Sequence, residues 1–282
     1  MPRKQPTARQ ERLGRELRKL REAAGLTARE AAGLLGAVSV TMSQVESGVA
    51  GVSEARVRRL AAHYACTDDE LIDALVEMAT DRTRGWWEEY RGVLPPAFLD
   101  LAELEHHATF VEVIGTAHVP GLLQTEDYAR AVFAYWRPEL PPSELEPRVE
   151  HRMRRRAALA QEGAPAYFAV LHESVLRTRV ADRRVARAQL AQILKESEHS
   201  HITVRVIPFD VDGFAGASSS LVYAGGRVPA LDTVQRDTPY GSAFVDAAAQ
   251  LQSMRTLFRK VESASLDPAQ SRDYIHRLVK EL

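Results

Sequence analysis

The chain has 282 residues, a formal net charge of −1 and a single cysteine. Its length exceeds that of one small domain, so we expect two domains. Its near-neutral charge excludes a nucleic-acid-binding surface along the whole chain. The lone Cys66 excludes an internal disulfide framework and indicates a reducing compartment. Since the sequence shows neither a secretory signal nor an apolar run of membrane-spanning length, we expect a soluble, cytoplasmic protein.

Positive charge is concentrated in the first part of the chain. Residues 1–65 carry twelve Lys or Arg and six Asp or Glu. This local excess indicates that nucleic-acid binding, if present, belongs to an N-terminal domain alone.

Residues 10–78 predict a compact domain of five short helices. Apolar residues recur at helical spacing in the first of them, and Gly25 then provides a stop signal. Thr27 is a candidate N-cap for the second helix, with Glu30 as its partner in a capping box. The helices are predicted at residues 10–24, 28–35, 39–48, 53–64 and 68–78.

Residues 39–48, SVTMSQVESG, have the composition of a DNA-reading helix. Met42 and Val45 are three residues apart, so both can face a core. Ser39 and Gln44 are then left facing outward, and hydroxyl and amide groups can hydrogen-bond base edges in the major groove. Ser39 can also cap this helix after a three-residue turn. The spacing predicts a helix-turn-helix, in which the second helix of the pair enters the major groove.

The strings LRKLREAAGLT, AAGLLG, VSVTMSQVESG and RVRRLAAHY extend this pattern over residues 10–78. Together they resemble the xenobiotic-response-element (XRE) family of helix-turn-helix regulators, which includes the phage repressors. The resemblance implies an ion pair between Arg21 and Glu46 that fixes the reading helix against the first helix. It implies base contacts from Ser39, Val40 and Gln44 and phosphate contacts from Thr41, Ser43 and Ser47, to which we add Thr27 at the second helix.

Two departures from the family pattern lower the expected affinity for DNA. Ala28 stands where the family often has a phosphate-contacting Gln, and the usually basic loop after the reading helix is Val-Ala-Gly-Val at residues 49–52. Because phosphate contacts dominate affinity for DNA, we expect modest affinity per monomer, or help from Arg3, Lys4 and Arg9. The alternative is a helix-turn-helix fold that serves only protein contacts.

A second domain is predicted to begin near residues 80–84, which gives domains 1–80 and 81–282. Its pattern mixes helical and strand periods. Helices are predicted at residues 98–107, 122–136, 143–161, 182–197, 243–260 and 268–281. Strands are predicted at residues 110–114, 167–171, 202–208, 220–223 and 230–235. The predicted fold class is therefore multi-domain: an all-α, five-helix, repressor-type helix-turn-helix domain followed by a larger α+β domain.

The second domain contains, in order, the strings WW, LPPAFLDLAELEHHAT, VPGLLQTEDYARAVF, RVEHRMRRRAAL, HESVLR and ITVRVIPF. They resemble the large C-terminal domain, of uncharacterised function, in a family of actinobacterial regulators where it follows a repressor-type helix-turn-helix. The resemblance covers about residues 86–282. It implies a sensing or partner-binding domain. Family members are often encoded beside a small partner protein and are described as antitoxin-like, so such a partner is also implied.

Apolar residues of the second domain are candidates for a ligand or partner surface. They are Trp86, Trp87, Leu122, Leu123 and Tyr128. Two adjacent tryptophans cannot lie on one helix face, so one can contact the first domain or a second subunit. The others follow a Pro-Gly turn and can form one wall of a pocket. The alternative is a buried corner of the core.

Other polar clusters of this domain favour structural roles. The paired histidines are His106 with His107 and His199 with His201. Neither pair has metal-ligand spacing, so no metal or cofactor site is predicted. His172 and Glu173 indicate a strand-to-helix corner rather than an acid/base pair. A glycine- and serine-rich loop at residues 213–220 could act as a lid.

One predicted helix carries arginines on a shared face: Arg148, Arg152 and Arg155 or Arg156. Nearby glutamates favour a solvated ion-pair network; they are Glu144, Glu146 and Glu150. The alternative is an anion-binding site.

These patterns predict a dimeric, sequence-specific transcriptional regulator that binds double-stranded DNA and is modulated through its second domain by a ligand or a small partner protein. The alternative is an antitoxin-like protein that mainly sequesters such a partner and autoregulates its own operon. Since the sequence contains no recognisable nucleophile, metal or cofactor motif, we expect no enzymatic activity and no cofactor.

Overall fold

The computed structural model describes residues 5–161, 163–216, 219–238 and 241–282. It divides into two compact units: one contains the chain up to Trp86 with the segment Val228–Leu231, and the other contains Trp87–Arg227 and Asp232–Leu282. The division lies a few residues beyond the boundary expected from sequence. The predicted fold class is confirmed, since helices precede a larger unit built on a six-stranded sheet.

Short helices build the first unit: α1 (Ala8–Ala23), α2 (Ala28–Leu34), α3 (Ser39–Glu46), α4 (Glu54–His63) and α5 (Asp69–Thr80). Thr27 caps α2 and forms the predicted capping box with Glu30. Gly25 has a φ of +70°, a left-handed conformation that suits glycine and ends α1.

The predicted cap of α3 was wrong. Val38 occupies the N-cap position in an extended conformation and makes no side-chain cap bond, while Ser39 is the first helical residue. A capping side chain must come from the extended residue before the helix, so Ser39 lies one position too late to cap. The hydroxyl of Ser39 is thereby left out of the cap.

Buried apolar residues hold the first unit together in two clusters. One includes Leu17 of α1, Val45 of α3 and Leu75 of α5, and the other includes Met42 of α3 and Leu60 of α4. Helix α3 therefore contributes to both clusters, and its orientation depends on the packing of every neighbouring helix.

The second unit contains helices α6 (Pro96–His107), α7 (Glu126–Trp136), α8 (Pro142–Ala158), α9 (Glu173–Arg177), α10 (Arg183–Glu196), α11 (Ala248–Ser263) and α12 (Pro268–Glu281). Its strands are β1 (Phe110–Gly115), β2 (Ala166–His172), β3 (Ile202–Ile207), β4 (Leu221–Gly225), β5 (Thr233–Thr238) and β6 (Gly241–Val245). Short 3-10 turns lie at Trp86–Tyr90, Gly121–Leu123 and Pro229–Leu231.

The sheet has the order β3-β2-β1-β4-β5-β6 and changes character at β1. Strands β1, β2 and β3 are parallel, with Val111 opposite Tyr167 and Tyr167 opposite Ile202. Strands β4, β5 and β6 continue antiparallel from β1. The loop that leaves the carboxyl end of β1 thus starts at the junction between the two halves of the sheet.

Each face of the sheet is covered by helices, as the nearly continuous apolar runs of its parallel strands require. On one face, Val113 and Tyr167 pack with residues of α7, α10 and α12. On the other, Ile114 and Tyr223 pack with Phe258 of α11. The second unit therefore has its own core.

One local prediction for this unit was wrong. The helix expected from residue 243 begins at Ala248, because residues 241–245 pair with β5 as strand β6. The connection from β4 to β5 is longer than a tight turn, since β4 ends at Gly225 and β5 begins only at Thr233. Asp232 closes that connection by accepting a hydrogen bond from the Gly226 amide at 3.1 Å. Among the described residues, no helix has both the length and the apolar character needed to cross a membrane.

Candidate nucleic-acid interface

Helix α3 separates its side chains into an inner and an outer set. Met42 and Val45 are buried, as expected from their spacing. The outer set is exposed: Ser39, Val40, Ser43, Gln44 and Ser47. Thr41 is half-buried, and Thr27 is exposed at the start of α2. The outer face of α3 therefore offers hydroxyl, amide and small apolar groups, the groups that read base edges in the major groove.

Arg21 and Glu46 form the ion pair expected between α1 and α3. Arg21 Nε donates to Glu46 Oε1 at 2.6 Å and Arg21 Nη2 donates to Glu46 Oε2 at 3.0 Å. Arg21 Nη1 also donates to the Leu26 carbonyl at 2.6 Å. Both charged side chains are only 8% exposed. This two-pronged geometry fixes the end of α3 relative to α1 and to the start of the turn before α2.

Two glycines bring the backbones of α1 and α3 together, and neither contact was predicted from the sequence. A β-carbon on Gly14 would lie 2.7 Å from the Val45 carbonyl oxygen. A β-carbon on Gly48, which has a φ of +73°, would lie 2.8 Å from the backbone of Gln10. A glycine inside a helix costs about 1 kcal/mol relative to alanine, so Gly14 in the middle of α1 was the signal that could have revealed this contact.

Helix α3 itself has no Lys or Arg, so cations for phosphate contacts must come from other helices of the first unit. Arg29 and Arg56 are exposed, and no ion pair is found for either within the described chain. Arg59 Nη2 donates to the Leu34 carbonyl at 2.9 Å, which places Arg59 beside the end of α2. These arginines are candidate phosphate contacts in place of the basic loop that the chain lacks. Of the basic residues suggested from sequence, Arg3 and Lys4 lie outside the described residues.

The candidate ligand surface of the second unit is largely core. Leu122, Leu123 and Tyr128 are buried, and the Tyr128 hydroxyl accepts a hydrogen bond from the Val119 amide at 3.1 Å. Burial of these three side chains in the cluster between β1 and the helices favours the alternative of a buried corner of the core, and a ligand or partner surface there stays a prediction. Trp87 is buried against the ring of His106, whereas Trp86 is half-buried.

Exposed aromatic surface lies instead at the carboxyl end of α7. Tyr135 is 78% exposed and Trp136 is 65% exposed. Their rings meet edge to face with centroids 5.9 Å apart. Large exposed aromatic groups of this kind are typical of protein contact sites.

The arginines of α8 do not form the expected surface network. Arg148 interacts with Glu144 at 3.7 Å, as that network requires. Arg155 instead pairs with the buried carboxylate of Glu105 in α6, at 2.5 and 2.8 Å. Arg152 and Arg156 turn to Gln124, as donors to its side chain and its carbonyl respectively. Most of this face is therefore buried, since α6 and the segment after β1 cover it.

The histidine clusters take part in packing. His106 lies against His107 and His199 against His201, with ring centroids 4.9 and 5.7 Å apart. Within the described ranges, no group of three or more His, Cys, Asp or Glu side chains is arranged to hold a metal ion. His172 ends β2 and caps α9 through its Nδ1, as the predicted strand-to-helix corner requires. The proposed lid at residues 213–220 falls partly outside the described residues.

Two family comparisons cover most of the chain. The family described as "Helix-turn-helix domain" matches residues 12–75, and the family described as "Domain of unknown function (DUF5753)" matches residues 98–277. The first match coincides with helices α1 to α5 and the second with the sheet-containing unit. No curated protein and no solved structure matches the chain.

Proposed function

The chain belongs to the DUF5753 family and carries a helix-turn-helix domain ahead of it, and on this premise we propose that it is a dimeric, sequence-specific transcriptional regulator. In this proposal, α3 enters the major groove of double-stranded DNA, and the DUF5753 domain binds a ligand or a small partner protein that modulates the regulator. It acts where the DNA is, inside the cell, and has no catalytic role.

The observation that supports DNA reading is the outer face of α3. Ser39, Val40 and Gln44 are exposed there and take no part in the core. Meanwhile the Arg21–Glu46 pair holds the helix from behind. A rigidly held helix with an unused polar face is the geometry that base readout requires.

The test is DNA selection with the full chain from a random duplex pool, followed by measurement of the selected site. Gln44→Ala should weaken binding to the selected site by roughly 1–3 kcal/mol and change binding to random DNA little, because a base contact carries discrimination. Equal losses on both DNAs would show that Gln44 does not read sequence, and a failure to select any sequence would contradict the proposal as a whole.

Dimerisation is supported by the exposed aromatic pair of α7, Tyr135 and Trp136. A helix-turn-helix without basic residues on its reading helix is expected to need two half-sites for useful affinity. Replacing both aromatic residues with serine in the full chain should convert a dimer into a monomer in sedimentation and weaken operator binding. Phe209→Ser, which changes another exposed aromatic side chain of the same unit, is the matched control.

The second candidate function is the antitoxin-like one, and the same aromatic pair favours it. In that case, Tyr135 and Trp136 bind a small partner protein encoded nearby rather than a second copy of the chain. Co-expression with such a neighbour distinguishes the two functions. Loss of the co-purifying protein in the Tyr135→Ser/Trp136→Ser variant, with the oligomeric state unchanged, would favour the partner over the homodimer.

A further inference from the structure

Arg152 of α8 is a half-buried cation without a counter-ion. No Asp or Glu in the described residues lies within ion-pair distance of it. Its neighbours on the same helix differ: Arg148 contacts Glu144, Arg154 contacts Glu89 and Arg155 contacts Glu105. Placing a charge away from water without a partner costs free energy, so an anion that bound beside Arg152 would recover part of that cost.

Neutral groups hold the Arg152 guanidinium in place. Its Nη1 donates to Gln124 Oε1 at 2.7 Å, and Gln124 is itself fully buried and donates to the Val119 carbonyl at 2.6 Å. The guanidinium carbon of Arg152, Cζ, lies 4.3 Å from the ring centroid of Phe133. Arg152 Nε is enclosed and has no hydrogen-bond partner. The group is therefore positioned firmly, while, among the described residues, one of its donors has no partner and its charge has no carboxylate within ion-pair distance.

A second positive charge lies close to Arg152. Both Arg152 and Arg155 approach Gly121: a β-carbon there would lie 3.6 Å from Arg152 Nε and 3.7 Å from Arg155 Nη1. Burial, followed by the like charge of Arg155, lowers the pKa of Arg152 to about 9. Glu105 is already paired with Arg155, and Asp237, which attracts both arginines, accepts hydrogen bonds from Gln235 and Ser242.

A second unused polar group belongs to the same region. His118, three residues before Gly121, has a buried Nδ1 without a hydrogen-bond partner. Burial, followed by the charge of Arg152, lowers the pKa of His118. The imidazole is therefore neutral at pH 7 and can donate or accept a hydrogen bond. His118 and Gly121 both lie in the loop that leaves the carboxyl end of β1, the end of a strand at which open α/β sheets commonly bind ligands.

From this arrangement we propose that the loop after β1 and α8 form a binding site for a small molecule that carries a carboxylate group. Arg152 provides the charge and the hydrogen-bond donors, since a guanidinium matches a carboxylate in geometry. His118 provides a neutral polar contact, and Phe133 an apolar wall. The inference rests on the proposed function, because it gives the chemical class of the ligand that modulates the regulator. Ligand binding can be measured without DNA, so the experiments can contradict the carboxylate site without contradicting DNA binding, and the reverse.

A built-in carboxylate provides the first test. Gly121 has space for a side chain, because its nearest neighbours would be at ordinary contact distance, and a carboxylate there would reach both guanidinium groups. Gly121→Asp should raise the melting temperature by about 2–4 °C relative to the isosteric control Gly121→Asn, as a saturating ligand would. If the Asp and Asn variants melt at the same temperature, a carboxylate beside the Arg152 guanidinium does not stabilise the protein, and the proposal is overturned.

The second test measures binding directly on the full chain, with sodium benzoate as the probe, sodium phosphate as the competing chemistry and sodium chloride at matched ionic strength as the control. Benzoate should raise the melting temperature of the natural chain. The shift should be lost in Gly121→Asp, and Arg152→Gln should weaken binding about tenfold or more. Arg154→Gln, which removes an arginine of the same helix that is paired with Glu89, should bind benzoate normally.

Each remaining outcome counts against the proposal. Stabilisation by phosphate but not by benzoate would overturn the carboxylate assignment. Equal benzoate shifts in the natural chain and in a folded Arg152→Gln variant would show that Arg152 does not bind the anion. Asp237→Asn gives an independent check: benzoate should bind more tightly once a repelling carboxylate is removed, and loss of binding would contradict the site.

Discussion

Gly14 in α1 lies directly against Val45 in α3, with no room for a β-carbon between its α-carbon and the Val45 carbonyl oxygen. A β-carbon built on Gly14 would be 2.7 Å from that oxygen, closer than atoms of this kind approach one another. The two backbones therefore touch, and the position of the reading helix depends on the absence of a side chain at one residue of its neighbour.

This contact predicts the effect of Gly14→Ala. Alanine favours a helix over glycine by about 1 kcal/mol, yet here it should lower the melting temperature and weaken DNA binding, because α3 must move away from α1. Thermal unfolding and operator binding measure both effects. Gly33→Ala in α2 is the matched control, since nothing lies within 4 Å of a β-carbon at that position. Equal stability of the two variants would contradict the close contact.

The ion pair behind α3 predicts a second result. Glu46→Ala leaves the enclosed Arg21 charge with only the more distant and exposed carboxylate of Glu22, at 3.5 Å, so it should destabilise the domain by about 3 kcal/mol and weaken DNA binding with it. Glu54→Ala, which removes an exposed partner of Arg58 in the same unit, should cost less than about 1 kcal/mol. If Glu46→Ala melted normally but lost DNA binding, Glu46 would belong to the DNA surface instead.

The exposed Val40 predicts how part of the operator is read. Its side chain is 64% exposed at the start of α3, where an apolar group can contact the methyl group of a thymine. Replacing thymine by uracil, which lacks that methyl, within each half-site should weaken binding about tenfold or less at one position. The same replacement outside the half-sites is the control. Val40→Ala should remove most of the difference between thymine and uracil at that position, and an unchanged difference would contradict the contact.

Glu112 in β1 predicts a dependence of stability on pH. Burial, followed by the negative charges of Glu262 and Asp232, raises the pKa of Glu112 from 4.5 to about 7. The folded state thus holds this proton more tightly than the unfolded state, so stability falls as pH rises from about 4.5 to 7 and stays lower above that.

Glu112→Gln should remove this loss. At pH 8 the variant should be more stable than the natural chain by roughly 2–3 kcal/mol, since a shift worth about 1.4 kcal/mol per pKa unit is reduced by the partial exposure of the side chain, and near pH 4.5 the two should be similar. Denaturant unfolding at both values of pH measures the difference. A variant whose stability relative to the natural chain is the same at both values would show that Glu112 does not titrate in this range.

The sequence predicts well those features of the fold that depend on residues close together along the chain, and poorly those that depend on residues far apart. The helices of the first unit followed from local signals: Gly25 ends α1, and Thr27 and Glu30 open α2. The Arg21–Glu46 contact came from resemblance to a family rather than from the spacing of the two residues.

Contacts between distant residues had no such local signal. Arg155 forms an ion pair with Glu105, which lies fifty residues earlier in the chain, although glutamates of its own helix are nearer in sequence. Strand β6 was missed because a short apolar run is compatible with either helix or strand until its pairing partner is known. Leu122 and Tyr128 were left open between a ligand surface and a buried corner of the core, because their burial depends on where α7 packs against the sheet.

The division of α3 into two sets of side chains has an evolutionary consequence. Met42 and Val45 hold the helix in the core, whereas Ser39, Val40 and Gln44 are exposed and take no part in it. Substitution at the outer positions therefore carries little folding penalty. After gene duplication, two copies could diverge in the operators they recognise without first acquiring compensating mutations, and the same three positions are where a protein engineer would begin to retarget the regulator.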